Sequence, residues 1–463
     1  MANISSGEFL SVRAAAEKWG IKERRVTLLC RDKRINGAIK SGGEWYIPKT
    51  AVLPPDGRTK EASQNGGSFF AGGGRAAAEF EKIYLKEPED VIFTPYRVCP
   101  LGAHSDHQLG KITGFAIDKG IYIAYAPKYN GIIEIKSLQF PKRAQWHVLD
   151  TPTVKQGDWA DHLRGATIAL GRKYTLRVGI CAVVDGELPI GGLSSSAAVI
   201  ITFISALCRL NGINLSPSEM IELSKNAENR YVGVSCGKLD QSCEIYSRKN
   251  CLLYMDLLDD SYELIPSDPA AKPYKIAIFF SGVGRSLAFS NFNMRVDECR
   301  SAAYALKAYA KMDYGKFDET NLRDVPYEIY LKYRDRLPES WAKRAEHWYT
   351  EFMRVEAGAE AWRRGDIEKF GRLCFESGRS SIDNWETGSP EMKKLYEIMT
   401  CTDGIYGGRF SGAGFKGCCM ALIDPAFEDE ILKNTEREYL AAFPEMKGKY
   451  SAHICVTADG VKL

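Results

Sequence analysis

The sequence lacks several features that would place it in other classes of protein. No apolar run approaches the roughly 20 residues that a membrane-spanning helix requires, and the N-terminus has no apolar core of the kind found in secretory signals. The 13 cysteines are odd in number, scattered, and form no CxxC pair. We therefore expect reduced thiols in a cytoplasmic protein, with no membrane partner and no disulfide framework.

A strong net charge is also absent, because the 463 residues carry a formal charge of only +3. This total hides a basic N-terminal segment, since residues 1–60 contain 12 Lys and Arg but only 6 Asp and Glu. The rest of the chain is mildly acidic, with 50 Lys and Arg against 53 Asp and Glu. Such an asymmetry predicts separate modules with separate partners.

A segment at 56–75 separates these two parts of the chain. Glycine, proline and polar residues cluster there without apolar periodicity, which is typical of a linker. We predict a head at 1–55, the linker at 56–75, and a body made of two domains at 76–270 and 271–463.

The head has the pattern of two short helices followed by a hairpin. Apolar residues have helical spacing over residues 12–19, and a second helix is predicted from about residue 22 to residue 31. Two strand-like stretches at 37–40 and 44–47 flank a pair of glycines, which is typical of a hairpin turn. Residues 9–53 thereby resemble the winged helix-turn-helix of the MerR and excisionase families.

This resemblance implies DNA as a partner of the head. Arg24, Arg25 and Thr27 would lie on the exposed face of the second helix, where arginine can reach guanine edges or phosphates. Short helical pairs also occur in small modules that dock onto an enzyme or another protein, and this alternative stays open.

The body mixes strand-like and helical segments. Strands are predicted at 121–126, 132–135, 173–184, 275–280 and 418–423. Helices are predicted at 197–210, 216–231, 297–311 and 341–364. The mixture predicts a large α+β enzyme with more than one layer.

A glycine- and serine-rich segment at 189–198 precedes a long apolar run. Glycines let a ligand approach the backbone, serines cap the new helix, and the free N–H groups at the helix start favour an anion. Glycine–serine turns also cap helices that bind nothing. A Walker P-loop is excluded, because the nearest candidate at 233–238 has three residues rather than four between its glycines and no Ser or Thr after Lys238.

Two further segments carry polar or flexible residues. Residues 95–110 combine an arginine, an aspartate, His104 and His107. These groups suit sugar hydroxyls better than zinc, because the two histidines lack a convincing third ligand. Residues 407–417 form a glycine-rich loop that leads into the strand predicted at 418–423.

In this order, the three segments resemble the signature motifs of the GHMP small-molecule kinases, and among them the galactokinases. The family motifs G-R-V-N-L-I-G-E-H-T-D-Y, G-L-S-S-S-A and G-G-G-F-G-G correspond to residues 96–107, 192–197 and 412–417. A fourth match at 227–241 follows the family pattern A-E-H-x-F-V-G-V-P-C-G-I-M-D-Q. The resemblance covers about residues 85–463 and implies a two-domain α+β fold, with a ribosomal-protein-S5-like N-domain and a ferredoxin-like C-domain.

The resemblance also implies roles for individual residues. The family's catalytic aspartate falls on Asp240, which would accept or orient the proton of the sugar's anomeric hydroxyl. The arginine of the first motif falls on Arg97, which would keep Asp240 ionised and neutralise charge on the transferred phosphoryl group. ATP and Mg²⁺ are the implied cofactors, with Ser196 and Glu228 as metal ligands. Outside this family, the same residues would be ordinary helix-cap or surface residues.

Two larger sets are implied to contact the nucleotide and the sugar. The nucleotide set is Gly191, Gly192, Leu193, Ser194, Ser195, Ser196, Ala197, Gly412 and Gly414. The sugar set is Ala103, His104, Asp106 and Gly237.

The sequence departs from the galactokinase pattern at Ala103, where the family has a glutamate that contacts the sugar near its C6 hydroxyl. At an effective dielectric near 20, that glutamate would repel a carboxylate 4 Å away by about 4 kcal/mol. Ala103 removes this repulsion, and its surroundings are similar to those of the galacturonokinases. D-galacturonate is therefore the expected substrate, and Phe292, which replaces a sugar-contacting tyrosine, also indicates an altered pocket. The candidate cations for the carboxylate are Lys111, Arg285, Arg295 and Lys416.

Three alternatives remain at this stage. The substrate could be D-galactose or another hexose, or the body could be a mevalonate- or homoserine-type kinase. The chain could also be a kinase-derived sugar sensor, or a bifunctional protein, whose ligand changes DNA binding by the head. The first motif and the Gly-x-x-Asp-Gln segment favour the sugar branch, and an intact set of catalytic and metal-binding residues favours an active enzyme.

Overall fold

The computed structural model describes residues 9–19, 23–31, 35, 38–41, 43–49, 51, 73–283, 289–313 and 315–463. The chain divides into two compact units, Met1–Ala71 and Gly72–Leu463. The two units correspond to the basic head and the mildly acidic body.

The first unit contains two helices and three short strands. In chain order they are β1 (Phe9–Ser11), α1 (Val12–Trp19), α2 (Glu23–Arg31), β2 (Ile39–Ser41) and β3 (Glu44–Pro48). The strands form an antiparallel sheet in the order β1-β3-β2, and β2 and β3 form the predicted hairpin. Ala15, Val26, Leu29 and Ile47 form its core. The sequence predicted both helices and the hairpin, whereas β1 was missed.

The second unit has an α+β composition, as predicted. Its helices are α3 (Gly74–Tyr84), α4 (Asp161–Gly171), α5 (Ser195–Asn211), α6 (Pro217–Asn226), α7 (Leu239–Tyr246), α8 (Phe289–Tyr309), α9 (Tyr327–Tyr333), α10 (Glu339–Arg363), α11 (Ile367–Asp383), α12 (Pro390–Cys401) and α13 (Glu428–Ala442). Its strands are β4 (Asp90–Val98), β5 (Lys111–Lys128), β6 (Ile132–Ser137), β7 (Ala144–His147), β8 (Gly179–Gly186), β9 (Cys251–Asp256), β10 (Ser261–Pro266), β11 (Lys275–Phe280), β12 (Ile405–Phe410), β13 (Cys418–Ile423), β14 (Ser451–Cys455) and β15 (Thr457–Ala458).

The larger sheet of this unit is organised around β5, which is 18 residues long. This strand pairs antiparallel with β4, β8, β9 and β15, and β6 runs parallel to β8. The helix α5 packs against the sheet and is buried along most of its length. That burial explains the apolar run after the serines, because a helix that is apolar on most sides needs a buried position.

A second sheet of four antiparallel strands has the order β12-β13-β11-β14. Every residue of β13 is buried, as its continuous apolar sequence predicts for a central strand. Chain segments after β10 build this sheet and the helices around it, which form a second apolar core and a third, mainly helical one. No helix in the described part of the chain is long and apolar enough to cross a membrane.

The structure corrects two predicted elements. The strand predicted at 173–184 begins only at Gly179, because the N–H groups of Arg177 and Val178 donate to the side-chain oxygen of Asn211 instead of to a neighbouring strand. The helix predicted at 216–231 begins with a capping box at Ser216 but continues from residue 227 as a π-helical turn, Ala227–Val232. Such turns often lie at functional sites, and this one contains Glu228.

Candidate active site

A cavity of about 290 Å³ brings three of the sequence-predicted loops together. The loop after β4 supplies one wall, the turn before α5 supplies the second, and the glycine-rich loop between β12 and β13 supplies the third. Most of the predicted site residues line this cavity. They are Arg97, Ala103, His104, Asp106, Gly191, Gly192, Ser194, Ser196, Glu228, Gly237, Asp240 and Gly412.

The central feature of the cavity is an ion pair between Arg97 and Asp240. Nε and Nη2 of Arg97 each lie 2.7 Å from Oδ1 of Asp240, and Nη1 donates to the carbonyl of Gly192 at 3.1 Å. The arginine side chain is only 3% exposed, while the aspartate side chain is 28% exposed to the cavity. Burial lowers the pKa of Arg97, but the attraction of the Asp240 carboxylate and its hydrogen bond, together with smaller contributions, leave the net shift upward. The pair therefore presents a carboxylate backed by a permanent cation.

Two glycine-rich loops meet directly beside this pair. A Cβ on Gly412 would lie 2.9 Å from the Cα of Gly192, and one on Gly417 would lie 2.8 Å from the carbonyl carbon of Gly191. Ser411 Oγ also donates to the carbonyl of Gly192 at 2.7 Å. Glycine is required here because the two backbones approach too closely for side chains. The contact places both loops at the start of α5, where unpaired N–H groups favour an anion.

Four members of the predicted nucleotide set lie outside the described lining of the cavity, namely Leu193, Ser195, Ala197 and Gly414. Leu193 and Ala197 are buried in the protein interior, and the carbonyl of Leu193 accepts a hydrogen bond from the Arg97 N–H. Gly414 packs against Thr387 and Phe410 in a left-handed conformation. Their contact with a nucleotide stays a prediction, because a backbone N–H group can bind a phosphate without its side chain lining the cavity.

All four members of the predicted sugar set line the cavity. A Cβ on Gly237 would lie 2.5 Å from Oδ2 of Asp106, so only glycine allows the approach of these two segments. Oδ2 of Asp106 accepts a hydrogen bond from the Leu239 N–H at 3.4 Å. Burial, followed by repulsion from Asp240, raises the pKa of Asp106 to about 6. Asp106 has no arginine partner among the described residues, whereas Asp240 contacts Arg97.

His104 has an unusual backbone and an aromatic environment. Its φ is 64°, and its ring stacks on Trp385 with a centroid separation of 4.8 Å and an interplanar angle of 8°. Burial, the largest cause, holds its pKa well below the usual range, so the ring is neutral. Nε2 is buried without a hydrogen-bond partner among the described residues. Since the ring lines the cavity, it can offer a neutral nitrogen to a ligand.

Ser196 and Glu228, the two predicted metal ligands, both line the cavity. Glu228 is 5% exposed, and its Oε2 accepts a hydrogen bond from Gln241 Nε2 at 2.8 Å. A hydroxyl and a held carboxylate suit a hard divalent cation that retains waters and phosphate oxygens. The residues present therefore fit the predicted Mg²⁺ ion.

The candidate cations for an acidic sugar are not equivalent. Lys416 lines the cavity. The guanidinium of Arg295 lies 4.8 Å from the ring centroid of Phe415, which also lines the cavity. Lys111 lies outside the described lining, where its ammonium contacts Glu356 Oε1 at 2.7 Å. Arg285 falls outside the described residues. The structure therefore favours Lys416 over Lys111.

Sequence reasoning missed several residues that line the cavity. They are Cys99, His162, Ile190, Val234, Cys236, Leu239, Val283, Phe410, Ala413, Phe415 and Gly417. Most of them adjoin the predicted motifs, so proximity in sequence was an available signal. His162, at the start of α4, had no such signal. Phe292, singled out by the sequence, also lines the cavity.

In the head, the predicted DNA-contacting residues belong to α2. Thr27 is exposed, and its hydroxyl donates to the carbonyl of Glu23 at 3.1 Å, one helical turn earlier. The side chains of Arg24 and Arg25 fall outside what the structure describes.

Comparison with known proteins identifies relatives of the body. Residues 161–248 match the family described as GHMP kinases N terminal domain, and residues 359–440 match GHMP kinases C terminal. A galacturonokinase from Arabidopsis thaliana is 36% identical over 398 residues, which is 81% of this chain and 93% of that protein. A galactokinase from Roseiflexus sp. (strain RS-1) is 29% identical and covers 84% of this chain and 96% of its own length.

Solved structures have the same fold. Lactococcus lactis galactokinase complexed with galactose matches with a TM-score of 0.75 at 25% identity, covering 83% of this chain and 98% of that chain. A mevalonate kinase structure matches with a TM-score of 0.55 at 16% identity, covering 80% of this chain, which is a likeness of fold alone. The predicted two-domain α+β fold of the body is thereby confirmed.

Proposed function

Because the chain belongs to the GHMP kinase family, we propose that it transfers the γ-phosphoryl group of ATP to the anomeric hydroxyl of a galactose-type sugar. The observation that carries this proposal is the Arg97–Asp240 pair, which lies where the sugar-side and phosphate-side loops of one cavity meet. A carboxylate at this point reaches both the attacking hydroxyl and the transferred group.

Asp240 orients the anomeric hydroxyl and accepts its proton as the oxygen attacks phosphorus. Arg97 orients the carboxylate of Asp240 and balances its charge through two short contacts. The same guanidinium lies beside the Gly192 carbonyl, where it stabilises negative charge that develops on the phosphoryl oxygens.

The phosphates of ATP bind across the contact between the two glycine-rich loops and the start of α5. Ser194 and Gly412 line this part of the cavity. Ser196 and Glu228 would hold the magnesium ion, which supplies positive charge to the β- and γ-phosphates when bound. In this arrangement the protein contributes position and electrostatics to the transfer.

D-galacturonate is the sugar we propose as the substrate. Ala103 carries no charge that would repel its carboxylate, and Lys416 on the cavity wall can offset that charge. The relative with 36% identity is a galacturonokinase, which agrees with this choice. D-galactose is the second candidate, because a galactokinase is also among the relatives and one matching structure contains galactose. A mevalonate-type activity has the weaker support of a shared fold.

A sugar panel tests the function. We expect the purified full chain, with ATP and Mg²⁺, to phosphorylate galacturonate with a higher kcat/KM than galactose, glucuronate or N-acetylgalactosamine. Phosphate analysis of the product should give a 1-phosphate. A preference of about tenfold or more for galactose, equivalent to about 1.4 kcal/mol in the transition state, would overturn the assignment of galacturonate as the substrate. The assignment of sugar kinase activity would stand. If no sugar in the panel is phosphorylated, the proposed sugar kinase activity is wrong.

For the head, we propose a winged helix-turn-helix that binds DNA, supported by its helices, its hairpin and its excess of basic residues. Contacts with phosphates release counterions, so we expect affinity for duplex DNA to fall steeply between 50 and 200 mM salt. A flat salt response would favour a protein-docking module.

All thirteen cysteines are free thiols, which supports a reducing, cytoplasmic compartment for the whole chain.

Deleting residues 1–71 should leave kcat within about twofold of the full chain, because the body has its own core. The deletion must end before Gly74, since α3 packs on the sheet and Arg75 forms a salt bridge with Asp185. The comparison variant, lacking residues 1–84, removes that helix and should lose stability in thermal unfolding. Lost activity in the shorter deletion would instead indicate that the head docks onto the body.

A further inference from the structure

Two consecutive side chains on α10 and a third one helical turn later contact the backbone of the sugar-side loop, residues 102–105. His347 Nε2 lies 3.1 Å from the carbonyl oxygen of Ala103, and Trp348 Nε1 donates to the carbonyl of Ser105 at 3.3 Å. Glu351 Oε1 accepts a hydrogen bond from the Gly102 N–H at 2.7 Å. One helix therefore holds three backbone atoms of residues 102–105, which include two residues of the cavity wall.

The partners of His347 determine its tautomer. A carbonyl oxygen can only accept, so Nε2 of His347 carries the proton and donates to Ala103. Nδ1 must then accept from the Ser380 hydroxyl, which lies 2.9 Å away. Burial lowers the pKa of His347 to about 4, so the ring stays neutral and keeps this single arrangement at neutral pH. Ser380 Oγ in turn accepts from Asn384 Nδ2 at 3.2 Å, which completes the chain of donors.

Glu351 connects the same loop to the opposite side of the cavity. Its side chain is fully buried, as is that of Arg409, and the two lie 3.1 Å apart. Arg409 is the next-to-last residue of β12, and its Nε donates to the carbonyl of Phe410, a residue of the cavity wall. Burial raises the pKa of Glu351. The attraction of Arg354 and Arg409, with smaller contributions, outweighs this effect and leaves the pKa at about 2. A permanent buried ion pair thus joins the sugar-side loop to the strand that enters the glycine-rich loop.

We propose that His347 and Glu351 are positioning residues, which hold the loop at 102–105 for the sugar and link its position through Arg409 to the glycine-rich loop. The proposal rests on the proposed function only in assigning this loop to the sugar. Neither side chain belongs to the described lining of the cavity, so both act through the backbone atoms they hold.

Two substitutions of His347 separate positioning from simple packing. In His347→Gln the amide nitrogen can reach the place of Nε2 and donate to Ala103, whereas in His347→Asn the shorter amide reaches only the place of Nδ1. We expect His347→Asn to raise the KM for the sugar about tenfold, as for the loss of a buried hydrogen bond. The KM for ATP should stay within about twofold, and His347→Gln should restore the sugar KM to within about threefold of wild type. Equal sugar KM values in the two variants would overturn the proposal.

The link through the ion pair is tested by a double-mutant cycle. Glu351→Gln keeps an acceptor for the Gly102 N–H but leaves Arg409 without this carboxylate. Arg409→Gln keeps the carboxylate of Glu351 but removes the guanidinium that pairs with it. Each variant should raise both the sugar KM and the ATP KM, and the double variant should show less than the product of the two effects. Effects that multiply would overturn the link, because residues without coupling act independently.

Hydrogen exchange gives a measurement that does not depend on catalysis. Amides in a peptide covering residues 99–110 should exchange faster in His347→Asn than in wild type, and at the wild-type rate in His347→Gln. Unchanged exchange in both variants would overturn the positioning role even in an active kinase. If the exchange rates differ as expected but the protein phosphorylates no sugar, His347 still positions the loop. In that case only the assignment of the loop to the sugar is wrong.

Discussion

Asp240→Asn is expected to lower kcat by about 10²–10⁴-fold, the usual effect of removing a general base. The amide has nearly the same shape as the carboxylate, so the substrates still fit. It cannot accept the proton of the anomeric hydroxyl, however, and it no longer balances the charge of Arg97. Because the loop contacts between Gly192 and Gly412 do not involve Asp240, the affinity for ATP should stay within about twofold of wild type.

The buried arginine gives this variant a second, smaller effect. Arg97 is 3% exposed and donates to Asp240 through two nitrogens. An asparagine oxygen can still accept, but without charge, so the free energy of unfolding should fall by about 1–3 kcal/mol. Steady-state kinetics, ATP titration and thermal unfolding measure the three quantities. Asp335→Asn, at a side chain that is 96% exposed, is the control and should match wild type in all of them. More than a tenth of wild-type kcat in Asp240→Asn would contradict the role of the base.

Ala103→Glu is expected to lower kcat/KM for galacturonate about 10³-fold relative to its effect on galactose. Ala103 is 7% exposed and lines the cavity, and His347 holds its carbonyl, so a larger side chain cannot avoid the ligand by moving the loop. Two like charges about 4 Å apart repel by about 4 kcal/mol at an effective dielectric near 20. That energy corresponds to about a thousandfold difference in rate.

The charge effect must be separated from the effect of volume. Ala103→Gln has the same shape as the glutamate variant but no charge, and it should reduce kcat/KM for both sugars by similar factors. The ratio of kcat/KM for galacturonate to that for galactose, measured in wild type and both variants, decides between the two effects. If Ala103→Glu penalises both sugars equally, Ala103 does not lie beside the carboxylate.

Local sequence already determined much of the site. Arg97, Asp240, the two glycine-rich loops, Ser196 and Glu228 were all singled out from short motifs, and the structure brings them into one cavity. Helix α5 and strand β13 also followed from their apolar runs. These predictions succeed because a turn before a helix, or a continuous apolar strand, depends mainly on neighbouring residues.

Other local predictions failed where distant residues changed the outcome. The strand expected at 173–184 lost its first half because Asn211, on a later helix, satisfies the N–H groups of Arg177 and Val178. Distant residues also decide the packing around a motif, since Leu193 and Ala197 are buried where the sheet and α5 pack around them. The spacing of apolar residues indicates which side chains are buried, but it does not indicate which distant residues they contact.

The sequence by itself predicted the family, the fold class of the body and many of the residues that line the cavity. Only the tertiary structure decided how that cavity is supported. His347 and Glu351 lie 244 and 249 residues from the backbone atoms that they hold, and Arg409 lies 58 residues from Glu351. No local pattern marks such residues, because buried histidine, glutamate and arginine look like surface residues until their partners are known. Their burial costs energy unless those partners are present, so the complete fold alone selects them.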